Sequence, residues 1–531
     1  MVGFATFCVA SLAGLGPLVG QDFFPHVDTG RFILHVRAPS GTRIEATEAL
    51  VARVEGVVRR VVPPEELGLI LSNIGLNTVP INIATSNVAS IGPADAEVLV
   101  TLEEGHATPT AAYTRALRRA LAREVPEATY FYQPADIVTQ VLNFGLPSAI
   151  DVQVVGRDRE ASFRVAQRIA TRMRRVPGAA DVHVHQVADV PELRYTVDRE
   201  LAQSFGLSQR DVAGNLLISL SSSGQTAPNF WLNPRNGVQY AVAVQTPTHR
   251  MGTLDDLART PVAAPGAAEP QLFGNLAQAV RGRTVGVVNH YNVQPVANVY
   301  ASAEGRDLGG VASDVDAILD EVRGDLPAGM SVVLRGQVAS MRASFVGLGV
   351  GIVFAIALIY LLLVVNFQSW ADPLVIIMAL PGALAGIAWA LFATGTTLSV
   401  PALMGAVMAM GISTANSILV VAFASEQRQL GRSALEAAMD AGAARLRPVL
   451  MTAGAMVIGM VPMALGLGEG GEQNAPLGRA VIGGLVLATT ATLLLVPVVY
   501  AAVRGRSPRP ASAFPAPVPS GPAPTPAPPD R

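Results

Sequence analysis

Asp181, His183 and His185 are the residues whose types and spacing most directly suggest chemistry. They alternate along a predicted strand, so their side chains share one face, and carboxylate and imidazole groups in that arrangement can ligate a metal ion. Such residues on an exposed strand are more often solvated polar side chains, so we predict no metal site and no cofactor. No arrangement of serine, cysteine or histidine indicates a nucleophile, and the sequence therefore does not predict an enzyme.

Three consecutive aromatic residues, Tyr130, Phe131 and Tyr132, form a second group with chemical potential. Aromatic faces bind many apolar ligands, so these side chains are candidates for lining a substrate cleft. The alternative is that they pack within the strand they occupy. The sequence leaves both interpretations open.

A third group lies inside an apolar stretch. Residues 401–425 contain no charged side chain, and about 25 helical residues are enough to cross a bilayer. The middle of this stretch, residues 411–417, is small and polar, which predicts that this side faces a partner helix or a hydrated path. Alternatively, its serine, threonine and asparagine side chains only hold neighbouring helices together.

Composition places these groups in a membrane protein. The chain has 531 residues, of which 50% are hydrophobic and 15% charged, an unusually apolar balance for a soluble protein. A formal net charge of -2 gives no indication of nucleic-acid binding. The single cysteine, Cys8, excludes a disulfide within the chain.

Hydropathy predicts six membrane spans. The first occupies residues 1–20, and a signal peptide fits poorly because no basic segment precedes the apolar run. Five more spans lie within 346–503, at about 346–365, 373–393, 400–424, 448–467 and 479–503. The arginine-rich loop predicted at 426–447 and the tail at 504–531 belong on the cytoplasmic side, which puts residues 21–345 in the periplasm. The tail is rich in proline and alanine and is expected to be disordered.

Between the first two spans, strands and helices alternate in a repeated βαββαβ pattern. The first set uses strands at 32–38, 67–73, 97–102 and 129–133 with helices at 44–62 and 110–125. The second uses strands at 150–155, 181–185, 296–302 and 331–334 with helices at 159–175 and 310–323. Residues of about 190–285 interrupt the second set. The predicted fold is a polytopic α-helical membrane protein with a large α+β periplasmic region of two ferredoxin-like units and an inserted subdomain.

Several segments in this order resemble the resistance-nodulation-division (RND) efflux transporters, specifically the C-terminal half of the hydrophobe/amphiphile efflux type. They are GQDFFPHVDTG at 20–30, PSGTR at 39–43, VDRELAQSFGLS at 197–208, NFQSW at 366–370, the helix at 401–425, and RLRPVLMT at 445–452. The resemblance implies two porter subdomains, residues 21–145 and residues 146–190 with 290–340. It also implies a docking subdomain at 191–289.

The resemblance further implies proton antiport, in which two aspartates of the N-terminal half exchange protons with a lysine on the central helix of the C-terminal half. Here the lysine position is Ala415, beside Asn416. Arg445 and Thr452 match the surroundings of this relay. For Arg445 the alternative is a positive-inside anchor that reaches the membrane interface.

The resemblance also implies partners and a place in the cell. We expect the lipid bilayer of the bacterial inner membrane, a homotrimer, an N-terminal permease half, a periplasmic adaptor and an outer-membrane channel. The expected function is proton-driven export of small amphiphilic compounds; the alternatives are a non-transporting fragment, or a periplasmic binding or scaffold module that partners another such chain.

Two observations bear on the substrate. Residues 74–91 lack aromatic side chains, which argues against broad drug recognition. No methionine lies between Met1 and Met173, which argues against the branch that exports Cu(I) or Ag(I).

Overall fold

The structure is a computed structural model. It describes residues 1–25, 27–76, 89–135, 137–143, 145–224, 226–264, 269–468 and 470–505. The chain divides into two compact units, one that combines Met1–Gln186 with the chain from Val288 onward, and another formed by Val187–Val287. Most of the predicted cleft segment 74–91 and nearly all of the predicted tail 504–531 lie outside the described residues.

The first repeat is an antiparallel sheet with two helices. After helix α1 (Val2–Val19), its elements are β1 (Arg31–Arg37), α2 (Ile44–Val61), β2 (Leu67–Ile74), β3 (Asp95–Leu102), α3 (Thr110–Glu124) and β4 (Thr129–Gln133). The strand order is β2-β3-β1-β4, which is that of a ferredoxin-like unit. Val54 and Val58 of α2 are one helical turn apart and pack fully buried with Leu34 of β1, because the apolar stripe of each helix must face the sheet.

The second repeat begins with a short helix α4 (Ile137–Leu142), followed by β5 (Ile150–Val155), α5 (Arg159–Met173) and β6 (Ala179–Val184). The carboxylate of Asp158 accepts a hydrogen bond of 3.0 Å from the backbone N–H of Ala161, which caps the first turn of α5. Ile169 and Met173 of this helix are fully buried against the sheet.

The unit Val187–Val287 is inserted at this point of the chain. Its elements are β7 (Val190–Val197), α6 (Arg199–Ser204), α7 (Gln209–Ser221), β8 (Asn229–Leu232), β9 (Gln239–Val242), α8 (Leu254–Ala258), β10 (Pro261–Val262), β11 (Gln271–Leu272), α9 (Phe273–Leu276) and β12 (Ala277–Thr284). Strands β7 and β12 pair antiparallel along their full length. A small core that includes Leu207, Val212 and Phe273 supports them.

The second repeat is completed after the insert by β13 (Asn289–Tyr291), β14 (Gln294–Ala303), α10 (Leu308–Arg323) and β15 (Ser331–Gly336). Strand β5 lies between β14 and β15, while β6 and β13 both pair with β14. This is the strand order of the first repeat. The helices and strands predicted for both repeats are confirmed, with bounds that differ by at most two residues.

The rest of the described chain is helical. It comprises α11 (Gln337–Phe367), α12 (Ala371–Ile377), α13 (Leu380–Ala393), α14 (Val400–Gln429), α15 (Ala434–Ala464), α16 (Ala475–Thr490), a π-helical turn (Ala491–Leu495) and α17 (Val496–Arg504). Among the described residues, six helical segments are long and apolar enough to cross a membrane: Val2–Val19, Gln337–Phe367, Ala371–Ala393, Val400–Gln429, Ala434–Ala464 and Ala475–Arg504.

The loop predicted at 426–447 is wrong, because most of that segment is helical. Only four residues separate the end of α14 at Gln429 from the start of α15 at Ala434. Ser433 and Glu436 form a capping box that starts α15, and the alanine-rich segment that follows favours a helix. Arg445 therefore lies about three turns inside α15 rather than at its start.

Candidate functional site

The two repeats meet where β4 of the first lies against β6 of the second. We call this contact the seam. Its central side chain is Asp181, which has a positive φ of 56° and lies where the pairing of β6 with β14 shifts register. Such a bulge re-aims a side chain, and here it turns Asp181 toward the first repeat.

Asp181 joins the repeats by ionic and backbone hydrogen bonds. Arg118 of α3 donates to both of its oxygens, from Nε at 2.8 Å and from Nη2 at 2.7 Å. The backbone N–H of Tyr132 donates to Oδ2 at 3.2 Å. Arg118 also pairs with Glu304, so one guanidinium holds two carboxylates of the second repeat. Bidentate pairing of this kind fixes geometry as well as charge.

A cavity of about 240 Å³ opens beside this ion pair, bounded by both repeats and by the chain that follows α1. Phe23, Phe24 and Tyr132 supply aromatic surface, and Arg118 and Asp181 supply charge. The wall therefore combines apolar faces with a few directed polar groups, as is typical of small-molecule sites.

Three buried polar atoms of the cavity wall have no hydrogen-bond partner among the described residues. They are the hydroxyl of Tyr132, the side-chain oxygen of Asn143 and the hydroxyl of Ser148. Burial raises the pKa of the Tyr132 phenol far above its usual value, so this group stays a neutral hydroxyl. A ligand that hydrogen-bonds these atoms would remove a desolvation penalty of about 1–3 kcal/mol for each.

The structure separates the three aromatic residues that the sequence grouped. Tyr130 is half-buried and donates its hydroxyl to the carbonyl of Val125 at 2.7 Å. Phe131 is fully buried between the rings of His35 and His183. Of the three, Tyr132 alone contributes to the described wall of the cavity.

The interpretation of Asp181, His183 and His185 as solvated residues on an exposed strand is wrong. His183 is 4% exposed and His185 is 1% exposed, while the Asp181 carboxylate is turned toward Arg118. The strand is covered because the first repeat packs against it. Within the described residues, no three histidine, cysteine or acidic side chains converge as a metal site would require.

A second candidate site lies on the central helix, α14. Asn416 is buried, and its side-chain oxygen lies 3.4 Å from the hydroxyl of Thr452 on α15. That hydroxyl also contacts the carbonyls of Val449 at 3.0 Å and Pro448 at 3.2 Å in its own helix. Ala415 is exposed and does not face Thr452 in this way. The guanidinium of Arg445 lies 5.3 Å from the ring centroid of Phe423, and its Nε is buried without a partner among the described residues.

The sequence reasoning missed two sets of residues. The hydroxyl of Ser417 lies 2.9 Å from that of Thr492 in the π-helical turn, and this polar contact extends the site on α14. The sequence signal for this contact was the pair Thr489 and Thr490, close to Thr492 in an otherwise apolar span. For Arg118 there was no such signal, since it resembles the other arginines of a solvated helix face.

Comparisons with known proteins find similarity to efflux and metal resistance proteins. The sequence profile described as the AcrB/AcrD/AcrF family matches residues 1–504. The cobalt-zinc-cadmium resistance protein CzcA of Cupriavidus metallidurans is 26% identical over 506 residues, which are 94% of this chain and 46% of that protein. The nickel and cobalt resistance protein CnrA of the same organism is 30% identical over 93% of this chain and 45% of its own length.

The similarity extends to a transporter not named for metals and to a solved structure. A probable efflux pump membrane transporter of Pseudomonas putida, TtgB, is 25% identical over 93% of this chain and 46% of its own length. The crystal structure of a heavy metal efflux pump superposes with a TM-score of 0.78 at 26% identity, covering 95% of this chain and 51% of that one. The chain thus spans about half the length of the relatives it matches.

Proposed function

This chain belongs to the AcrB/AcrD/AcrF family, and we propose that it forms the C-terminal half of an RND-type efflux permease in the bacterial inner membrane. The six apolar helices cross the bilayer, and the region between the first two lies in the periplasm. In this proposal residues 21–145 and residues 146–190 with 290–340 are the porter subdomains, and residues 191–289 form the docking subdomain. The permease works as a homotrimer with an N-terminal half, a periplasmic adaptor and an outer-membrane channel.

The observation that carries the transport proposal is the cavity at the seam. It lies between two repeats that are separately folded around their own cores, so a relative motion of the repeats would change its volume. Its polar atoms that lack partners in the described chain are buried in this state, and a motion of the repeats would make them available to a solute. Alternating exposure of such a cavity is a physical route for moving a solute out of the membrane region.

Transport is driven by protons in this proposal, and Asn416 and Thr452 form part of the proton path. Polar side chains buried within membrane spans are costly unless they serve packing or a path for ions. The hydroxyls of Ser417 and Thr492 continue the polar region on the same helix. Arg445 stabilises the packing beside this path through its contact with Phe423, or acts as an interfacial anchor.

Small amphiphilic compounds are the substrate class that the cavity favours. Its wall offers aromatic faces and neutral hydrogen-bonding atoms, and its volume of about 240 Å³, just below the usual range of ligand sites, limits it to small molecules. Two of the charged lining groups, Arg118 and Asp181, are already paired with each other across the seam.

Divalent metal cations are a second candidate substrate class. The similarity to CzcA and CnrA, which are cobalt-zinc-cadmium and nickel-cobalt resistance proteins, favours it. The lack of methionine argued only against Cu(I) and Ag(I). Cobalt, nickel and zinc bind nitrogen and oxygen ligands, so that argument does not exclude them. The expectation of an amphiphile transporter was therefore too narrow. The proposal is an efflux permease with two candidate substrate classes, small amphiphiles and divalent metal cations.

The test is export by this chain together with its native N-terminal half in a strain that lacks other efflux pumps. The proposal predicts protection against amphiphilic dyes, reduced by Tyr132→Phe and Ser148→Ala, which remove the unpartnered hydroxyls. Tyr130→Phe is the matched control, because its hydroxyl bonds Val125 away from the cavity.

Three other outcomes would redirect the proposal. Protection against cobalt, zinc or nickel salts alone would select the cation candidate. Absence of any proton-linked export, with ligand binding retained, would support a periplasmic binding or scaffold module. Absence of both would identify a non-transporting fragment.

A further inference from the structure

A stack of three aromatic rings closes the seam between the repeats. Phe131 of β4 lies 3.8 Å from His183 of β6 at an interplanar angle of 16°, and 4.2 Å from His35 of β1 at 19°, measured between ring centroids. All three rings are at least 96% buried. Phe131 is thus inserted between one histidine from its own repeat and one from the other.

The two histidines of β6 have nitrogen atoms that nothing satisfies within the described residues. His183 donates from Nδ1 to the carbonyl of Asp181 at 2.7 Å, which fixes its tautomer and leaves Nε2 as a lone pair without a partner. His185 packs its ring edge-on against Tyr300 at 5.4 Å, and neither of its ring nitrogens has a partner. Such atoms are satisfied by water or a proton only if the seam opens.

A cation holds the same seam from the first repeat. Arg37 donates to the carbonyl of His185 at 3.1 Å and to the carboxylate of Asp95 at 2.7 Å. Burial, reinforced by the positive charge of Arg37, lowers the pKa of His183 to about 3 and that of His185 to about 3. Both rings are therefore neutral while the seam is closed.

We propose that the seam is a proton-responsive joint between the two repeats, closed by the neutral ring stack and opened when His183 and His185 bind protons. The inference does not depend on transport, since it concerns only the equilibrium between closed and open seams in this chain. Its sites lie outside the membrane spans and are separate from the polar path on α14.

The sign of the effect follows from the direction of the pKa shifts. A histidine that is buried with a pKa of about 3 and exposed with an ordinary value of 6.5 binds its proton only in the open state. The closed seam is thus fully stable above about pH 6.5 and loses stability as the pH falls toward 3. Between pH 7.5 and 5.0 each histidine shifts the equilibrium toward opening by about 30-fold.

Other charged groups around the stack modify this response. Those that face it are His35 and Arg37 on β1, Asp95 and Glu97 on β3, Arg118 on α3, Asp181 on β6, Glu304 after β14, and Asp151 on β5. Asp151 acts in the opposite sense, because burial raises its pKa to about 6. Its exposure on opening would offset about tenfold of the gain at pH 5.0, so two responses of about 30-fold leave an opening that is about 90-fold more frequent.

Amide hydrogen exchange of the full chain in lipid nanodiscs tests the joint. The backbone N–H of Tyr132 bonds Asp181 across the seam, so peptides that cover β4 report opening directly. After correction for intrinsic exchange, we expect protection of β4 to fall at least about 10-fold from pH 7.5 to 5.0. The pairing of β5 with β15, inside one repeat, should keep its protection.

The variant His183→Phe/His185→Gln removes both titrating groups and keeps an aromatic ring in the stack. Its β4 protection should no longer fall as the pH is lowered, and the remaining response, from Asp151, should run in the opposite direction. His290→Gln, at an exposed histidine outside the seam, should behave as the wild type. A fall in the β4 protection of the double variant from pH 7.5 to 5.0 would overturn the proposal. Should that variant fail to fold, the wild type alone decides, because β4 protection equal at the two pH values would also overturn it.

Discussion

The side-chain oxygen of Asn416 lies 3.4 Å from the hydroxyl of Thr452, whereas the neighbouring Ala415 is exposed. The resemblance to RND transporters put the missing lysine at Ala415. The structure shows that the side chain which contacts α15 at this level belongs to the next residue. Asn416 therefore supplies the polar group that meets Thr452 between the two helices.

Replacing Asn416 by leucine should lower proton-linked export while the amount of folded protein stays constant. The substitution removes the polar group that contacts Thr452, a contact worth at most about 1 kcal/mol to stability, so a loss of export larger than any loss of folded protein would assign Asn416 to the proton path. Export and proton flux in vesicles that contain both permease halves would measure it. Ala415→Ser is the control and should retain export; equal loss in both variants would contradict the assignment of Asn416.

Arg118→Ala should destabilise the periplasmic region by about 2 kcal/mol or more, because it leaves the Asp181 carboxylate, which is 4% exposed, without its cation. Arg115 provides a matched control, since it lies one turn earlier on the same helix and approaches Glu304 at 3.8 Å. Its side chain is 56% exposed, so Arg115→Ala should change stability by less than about 1 kcal/mol. Thermal unfolding of the purified chain would compare them, and equal effects would mean that Arg118 does not join the repeats.

Gly386→Ala should prevent α13 and α16 from packing. A Cβ at this position would lie 2.2 Å from the carbonyl oxygen of Gly483, which is backbone and cannot move aside. We expect a loss of about 1–3 kcal/mol and a lower folded yield, measured by size-exclusion chromatography and thermal unfolding in detergent.

Gly454 is the comparison for that experiment, because a Cβ there meets nothing within 4 Å. Gly454→Ala should be neutral or slightly stabilising, since alanine favours helix. A Gly386→Ala protein as stable as Gly454→Ala would show that these two helices are not in backbone contact.

Asp151 should make stability depend on pH. It is fully buried and accepts hydrogen bonds from Asn298 at 2.9 Å and Gln153 at 2.8 Å, yet burial raises its pKa to about 6 from 3.8. The folded state then holds the proton more tightly than the unfolded state, so this stabilisation is complete below about pH 4 and is lost as the pH rises through 6. The ionised carboxylate costs about 3 kcal/mol at pH 7.5.

Asp151→Asn should therefore gain stability relative to the wild type, by up to about 3 kcal/mol, as the pH is raised from 4 to 7.5. Any fixed penalty from the changed hydrogen bonding cancels in this difference. Melting temperatures across this range would decide, and a constant difference for Asp151→Asn would exclude a raised pKa.

Local sequence patterns were sufficient to predict both repeats. Apolar residues at a period of two or of about 3.6 mark the strands and helices, and Pro126, Pro177 and Pro327 follow helices α3, α5 and α10, which end before them. The prediction of a loop at 426–447 was wrong. The alanine-rich sequence and the Ser433–Glu436 capping box, both visible in the sequence, favour a helix more strongly than the charged residues favour a loop.

The sequence by itself determined the elements of this protein and its apolar spans, because these depend on patterns within about twenty neighbouring residues, and the order of several such segments indicated the family. Only the tertiary structure decided which side chains meet. Arg118 reaches Asp181 across 63 residues because a bulge re-aims one strand, and Phe131 enters a stack with His183 because two sheet edges abut. Such contacts depend on packing between separately folded repeats, and local periodicity carries no information about them.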